Sequence, residues 1–307
     1  MEMGELDERR ARMGLAALGV PNGGELAEWL GRLGAAETWQ RLLVDPADTL
    51  AASRARRIDL DELDGETGYV GSRFVIPGDP QWPAALDGLA GHELHGTRGV
   101  PFGLWVLGLG LNPQRPVALT GARAATTYGV TVAEQMAGDL AVLGHAVVTS
   151  LAYGVDVAAI QGSITTEGMA PVVLLASGLM HMRLSSHEHL VAELPERATV
   201  ITEHAPSVVP SRASFLARCR LMAALSEGTV VVEAAMRSGS RTTATWSEML
   251  GKPVMAVPGP ITSSQSRMPH RLIQQGAHLV ECAEDIAAVL DRASSTTNLA
   301  PAEGNPS

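Results

Sequence analysis

The segment Arg212-Ala213-Ser214-Phe215-Leu216-Ala217-Arg218-Cys219-Arg220 carries the residue types most suited to chemistry. Read as a helix, its i, i+3 spacing sets Arg212, Phe215 and Arg218 along one face with Arg220 on the flank. A ring among guanidiniums suits single-stranded nucleic acid, because bases stack on rings at roughly 1–3 kcal/mol each while cations follow the phosphates. The plainer reading is a core phenylalanine beside surface arginines, and on this segment alone it is the favoured one. Four small loops change the balance. Gly121-Ala122-Arg123 offers a tight turn, a fixed charge and the free N–H groups of a following helix. Gly154 and Asp156 sit in Ser150-Leu151-Ala152-Tyr153-Gly154-Val155-Asp156, and Gly178 follows Ser177. Glu233 leads into Ser238-Gly239-Ser240, which opens a helix as phosphate cradles do. Each loop alone reads equally well as an ordinary turn and cap.

The elements that must position these loops begin after Pro116, where short β-branched apolar runs alternate with amphipathic stretches, the pattern of βα units around a parallel sheet. Strands are expected at 117–120, 146–149, 172–176, 200–202, 230–233 and 254–257. Helices are expected at 131–143 and 242–250, ending at Gly144 and Gly251. In such a sheet ligands bind outside the carboxyl ends of the strands, where all these loops fall. The fold class is therefore α/β: a doubly wound Rossmann-like parallel sheet with a small N-terminal helical domain. That domain, residues 1–45, shows apolar spacing at Met13, Leu15 and Leu18, then Leu26, Trp29 and Leu30, with Trp39, Leu42 and Leu43 expected to close its core. Residues 46–115 read as an irregular extended linker packed on the core, with an extended Arg73–Ile76 segment before a proline-rich string that cannot be a regular helix. Its Val106–Leu111 stretch resembles a nucleotide loop only superficially, lacking a third glycine. The main domain spans 116–292, and 293–307 is too poor in apolar residues to order.

The net charge of -10 argues at first against a polyanionic partner. Lys252 is the only lysine, however, so nearly all the positive charge is guanidinium, and its position matters more than its amount. No window has the run of apolar residues a membrane span needs, and the acidic start is unlike an export signal, so a cytoplasmic protein is expected. Cys219 and Cys282 form neither a disulfide framework nor a zinc motif. His181, His187 and His189 lack a converging further ligand. No metal, cofactor or catalytic residue is assigned.

In order and spacing these motifs resemble the DprA (Smf) family of DNA-processing proteins. The family's Gly-Ser-Arg turn, Ser-Gly-x-Ala-x-Gly-Ile-Asp loop and basic-x-x-Phe-x-x-Arg-Asn-Arg helix appear here as Gly121-Ala122-Arg123, Thr149 through Asp156, and Arg212 through Arg220. Its Glu-Ala and Ser-Gly-Ser joint, Val-Pro-Gly and Asn-x-Leu-Ile-x-x-Gly-Ala appear as Glu233-Ala234, Ser238–Ser240, Val257-Pro258-Gly259 and His270 through Ala277. The resemblance implies a non-enzymatic protein with an N-terminal module of SAM or helix-hairpin type. It implies that Gly121, Arg123, Gly154, Asp156, Gly178, Arg212, Phe215, Arg218, Arg220, Glu233, Ser238, Gly239 and Ser240 hold single-stranded DNA, that RecA receives the strand in recombination or natural transformation, and that the chain is a homodimer. Ala122, Ser150, Ile160, Cys219 and His270 depart from the family pattern, the Tyr-Pro-x-x-Asn motif is lacking near 180–187, and the family's winged-helix extension is not expected after the main domain. Two alternatives stay open: a nucleotide hydrolase resembling LOG-type phosphoribohydrolases, for which Arg237, Glu233 and Asp156 are the recruitable groups, and a nucleotide sensor.

Overall fold

The computed structural model describes residues 7–20, 22–47, 49–182 and 187–298. Four helices open the chain: α1 (Glu8–Ala17), α2 (Glu25–Val44), α3 (Leu50–Ala55) and α4 (Leu60–Tyr69). Asp7, Thr49 and Asp59 cap α1, α3 and α4 by accepting first-turn N–H groups. Helix α2 is broken at Gly34, whose φ of 79° a residue with a side chain adopts only under strain. Leu15, Leu18, Trp39 and Leu42 are buried, but Leu43 is exposed, because it falls on the solvent side of α2.

The nine-stranded sheet begins with β1 (Arg73–Val75) and β4 (Leu104–Gly108), between which a small antiparallel ladder pairs β2 (Glu93–Leu94) with β3 (Thr97–Arg98). It continues with β5 (Val117–Thr120), β6 (Val147–Ser150), β7 (Val172–Leu174), β8 (Thr199–Thr202), β9 (Gly228–Val231), β10 (Val254–Ala256) and β11 (His278–Leu279). Their order is β1-β4-β8-β7-β6-β5-β9-β10-β11. All pairings from β8 to β11 are parallel, while β1–β4 and β4–β8 are antiparallel. Strands β5 to β9 are buried at every position, which is why each reads as an unbroken apolar or β-branched run. The crossovers are α5 (Thr127–Val142), α6 (Val155–Thr165), α7 (Glu188–Arg197), α8 (Arg212–Leu225), α9 (Ser240–Met249) and α10 (Arg267–Gln274), followed by a terminal α11 (Ala283–Asn298).

Two sequence expectations change. The stretch 46–115 is not an irregular linker: it contains α3, α4 and two strands that extend the main sheet. Phe74 of β1 packs at a tilt against Trp105 of β4, with ring centres 4.5 Å apart, and the Trp105 indole N–H donates to Thr67 of α4 at 2.9 Å. One apolar cluster runs from Ala11 and Leu15 through Trp39, Phe74 and Trp105 to Ile160 and Val200, so the N-terminal helices and the sheet share a core. Helix α11 continues through Asn298, beyond the expected start of the tail at 293; residues 299–307 lie outside those described.

The chain builds β5, β6, β7 and β8 outward in one direction and then returns through α8 to lay β9, β10 and β11 on the other side of β5. The order therefore reverses between β5 and β9. A crevice opens outside the carboxyl ends of two strands whose connections diverge in this way.

Candidate nucleic-acid interface

Four loops converge on that crevice. Thr120 ends β5, and Gly121 follows without a positive φ; a Cβ there would lie 2.6 Å from Val155 Cγ2 and 2.7 Å from the Glu233 carbonyl oxygen. Close approach, rather than the turn itself, is what calls for glycine. Gly154, the N-cap of α6, has φ 81°, and a Cβ on it would sit 2.2 Å from the Ala122 oxygen. The loops are laced together. Ser240 Oγ donates to Gly121 O at 2.9 Å, Gln265 Nε2 donates to Ala124 O at 3.3 Å, and Ala234 N–H donates to Gln265 O at 2.7 Å.

The crevice holds a cavity of about 620 Å³. Of the residues expected at a site, Gly121, Arg123, Asp156, Arg212, Phe215, Arg218, Ser238, Gly239 and Ser240 all line it. Helix α8 forms one wall. Its N-terminus is fixed by a capping box between Ser211 and Ser214, and Arg212, Phe215, Arg218, Cys219 and Met222 follow one another down the face turned to the cavity. The Arg123 guanidinium carbon lies 4.6 Å from the centre of the Phe215 ring, and that of Arg218 lies at 5.4 Å. Both distances are within cation–π range.

Charge in the cavity is one-sided. Arg123, Arg212 and Arg237 are exposed and Arg218 is half-buried. Among the described residues none of the four has a carboxylate within 4.0 Å. Arg218 Nε is enclosed without a hydrogen-bond acceptor. Burial lowers the Arg218 pKa below the ordinary guanidinium value, and the neighbouring Arg123 charge adds to the effect. The single carboxylate in the lining, Asp156, is buried beneath the loops. It accepts from Thr120 Oγ1 at 3.1 Å, Gly121 N at 3.3 Å and the Ser150 hydroxyl. Burial raises its pKa, opposed by the Arg218 charge and by those donors. Burial likewise raises the pKa of the Cys219 thiol, whose Sγ lies 3.2 Å from the Phe215 oxygen.

Four expected site residues lie elsewhere. Arg220 projects from the opposite side of α8, buried in an ion pair with Glu203 and donating to Gly99 O at 3.2 Å. Glu233 is buried under the α5 N-terminus, where it accepts from Thr126 N at 2.9 Å and Thr126 Oγ1 at 2.8 Å. Gly129 leaves room for that carboxylate, since a Cβ there would lie 2.2 Å from Glu233 Oε2. Glu233 thus orders the loop that carries Arg123 rather than lining the cavity. Gly178 donates its N–H to Val208 O at 2.8 Å under a different loop, and Gly154 supports the Ala122–Arg123 backbone from behind. Of the departures from the family pattern, Ala122 and Cys219 line the cavity and Ser150 holds Asp156, whereas Ile160 is fully buried in the core and His270 bonds to Gly259. Gln265, Arg237 and Thr243 line the cavity as well. Gln265 lies in the loop after β10, another carboxyl end, so the rule that found the other loops also points to it. Among the described residues no group of three or more His, Cys, Asp or Glu side chains is placed to hold a metal ion, and no helix is long and apolar enough to cross a membrane.

A family model described as DNA recombination-mediator protein A matches residues 73–291, a stretch that contains every residue of the cavity. The chain belongs to this family. A DprA-named DNA processing relative from Mycobacterium tuberculosis is 42% identical over 223 residues, covering 70% of the chain and 57% of the relative. Protein Smf of Escherichia coli is 37% identical over 171 residues, 55% of the chain and 46% of the relative. The chain thus spans about half the length of these curated relatives. The solved structure of DNA processing protein A from Streptococcus pneumoniae superimposes with a TM-score of 0.75 at 25% identity, covering 93% of this chain and 98% of that one. DNA processing protein A from Helicobacter pylori, whose structure was described for its single-stranded DNA binding mode, shares the fold with a TM-score of 0.62 at 23% identity over 73% of this chain and 98% of that one. The recombination-mediator fold here is thus the doubly wound α/β sheet that the sequence pattern predicts, with a DNA-processing family assignment.

Proposed function

We propose that the protein binds single-stranded DNA in the crevice between β5 and β9 and does no chemistry on it. The observation that carries this reading is the placement of Arg123 and Arg218 against the Phe215 ring, with Arg212 and Arg237 lining the same cavity and no carboxylate within 4.0 Å of any of the four among the described residues. In a chain of net charge -10 a cluster of unpaired guanidiniums is a local anion site. A ring in its midst adds what a base requires. Asp156 supports binding over hydrolysis: buried beneath the loops, its oxygens already accept from Thr120, Gly121 and Ser150, so the carboxylate is committed to holding the loops together rather than offered to a glycosidic bond. Delivery of the bound strand to RecA, a homodimeric assembly and a cytoplasmic setting follow from family membership alone and are part of the same proposal.

Gel-shift titration with oligo-dT at several salt concentrations is the test. Single-strand affinity should exceed duplex affinity and fall with salt with a slope of about −3, from four neutralised phosphates at about −0.7 each. Arg123→Glu and Arg212→Glu should each weaken binding at least tenfold; unchanged affinity in both would overturn the assignment. A cavity of about 620 Å³ also has the size of a small-ligand site, so calorimetry with a nucleotide panel beside oligo-dT decides between monomer and polymer.

A further inference from the structure

Positive charge is unevenly placed along this acidic chain. Between Ala234 and Val280 the sequence holds Arg237, Arg241, Lys252, Arg267 and Arg271, with Glu248 as the only acidic residue, whereas in the whole chain Asp and Glu outnumber Lys and Arg by 33 to 23. The fold sorts these charges further. A helix that joins two parallel strands starts where the first strand ends, so the first turns of α9 and α10 lie at the carboxyl edge of the sheet and their last turns point toward the opposite edge. Arg241 is the second residue of α9 and Arg267 the first of α10. Glu248 falls in the last turn of α9, and Lys252 is tied to the carbonyls at the end of α8. The carboxyl edge therefore keeps the arginines and loses the one acid.

Both helix starts sit beside the cavity. Ala234 N–H donates to Gln265 O at 2.7 Å and Met268 N–H donates to Ala234 O at 3.1 Å, which clasps the start of α10 to the loop after β9. Arg237 and Gln265 line the cavity, and Arg241 and Arg267 follow them closely in the chain. Both are exposed, and among the described residues neither has a carboxylate within 4.0 Å. The opposite direction along the edge offers no such path. Among the described residues the loops after β6 and β7 present no arginine, and the loop after β8 presents Glu203, which is paired with Arg220. Past α10 the basic run ends as well, at the exposed Glu281, Glu284 and Asp285 that follow β11.

We propose that a single strand longer than the cavity leaves it in one direction, over the starts of α9 and α10, where Arg241 and Arg267 neutralise its phosphates. A flexible polyanion follows the positive potential, and exposed guanidiniums without carboxylate partners release counterions when phosphates reach them. Such contacts position a strand without reading its sequence, so the track lengthens the site and leaves it unselective for bases. It rests on the single-stranded-DNA reading of the cavity and adds to that reading two residues and a direction.

The test is titration calorimetry of the full chain across a salt series with two ligands: a dT pentamer, whose four phosphates match the four cavity arginines, and an oligo-dT three times as long. In the parent the longer strand should have a salt slope steeper by about 1.4, from two further phosphates at about 0.7 each. Arg241→Ala combined with Arg267→Ala should return the longer strand to the pentamer's slope and leave the pentamer's own slope unchanged. Arg32→Ala combined with Arg57→Ala removes the same charge from exposed positions in the N-terminal helical region and should alter neither slope. The track is overturned if the parent shows one slope for both lengths, or if the Arg241 and Arg267 variant keeps the longer strand's slope or weakens the pentamer as strongly as the longer strand. An equal loss of slope in the Arg32 and Arg57 variant overturns it too. Arg123→Glu and Arg212→Glu, read on the pentamer, judge the cavity separately, so a pentamer that they release while the track fails leaves the cavity's reading standing.

Discussion

The Arg123 guanidinium lies over the Phe215 ring at 4.6 Å, so the cation occupies one face of the surface offered to a base. A strand that stacks on this ring competes with Arg123, and with Arg218 at 5.4 Å, whose charges can turn instead to its phosphates. The two residues therefore contribute to different parts of the affinity. Phe215→Ala should lower oligo-dT affinity by about 5- to 160-fold, the equivalent of one stacked base, with the salt slope unchanged. Arg123→Ala should make the slope shallower by about 0.7. Because the groups touch, the double variant should depart from additivity in a double-mutant cycle. A Phe215→Ala protein with the affinity of the parent would remove the stacking platform from the account.

Arg220 shares a helix with Phe215 and serves a different purpose. Its pair with Glu203 is buried, so Arg220→Ala leaves an uncompensated carboxylate and should cost about 3–5 kcal/mol of stability in urea unfolding. Measured on folded protein, its oligo-dT affinity should stay within about twofold of the parent, in contrast to Arg123→Ala. A strong affinity loss in a fully folded Arg220→Ala protein would return this residue to the DNA site.

These two arginines also mark how far the sequence could be read. The strands from β5 to β10 are legible because they are buried on both faces and need continuous apolar runs, and the helix carrying Arg212, Phe215 and Arg218 follows from their spacing. Arg220 was within reach of the same rule: two residues beyond Arg218 at 3.6 residues per turn is about 200° around the helix, away from the cavity. Helices α3 and α4 are hidden by their length and by Gly65 and Gly68, and β11 by being two exposed residues paired only through backbone. Glu233 carries no local mark of its role, because its partner Thr126 is 107 positions away and meets it only once β5 and β9 pair. Gln265 is uncharged, and only its position after a strand end gives it away.

Gly154 makes the α6 entry specific to glycine in two separable ways. Its φ of 81° is unfavourable for any side chain, and a Cβ would lie 2.2 Å from the Ala122 oxygen. Gly144, with φ 85° and open space where its Cβ would be, has only the first difficulty. Gly144→Ala should therefore cost about 1–2 kcal/mol, the left-handed penalty alone. Gly154→Ala should cost more, and by moving the Ala122–Arg123 backbone it should also weaken oligo-dT binding. Equal stability losses by chemical denaturation would mean that the loop yields without strain.

Lys252 gives the protein a pH signature at its alkaline end. Its ammonium is largely buried where it donates to the Ala223 and Ala224 carbonyls in the last turn of α8, at 3.1 and 2.6 Å, and burial lowers its pKa to about 8 from 10.5. Between those two values the unfolded chain binds the proton more tightly than the folded one, so this group makes stability rise as pH increases from about 8 to 10.5. At one pKa unit per ~1.4 kcal/mol the contribution is on the order of 3 kcal/mol at most. Lys252→Met removes the titration, and the difference in urea-unfolding free energy between parent and variant should shift in favour of the parent by that order as pH climbs from 7 to 10. A difference that stays flat over this range would place the ammonium in water rather than against the end of α8.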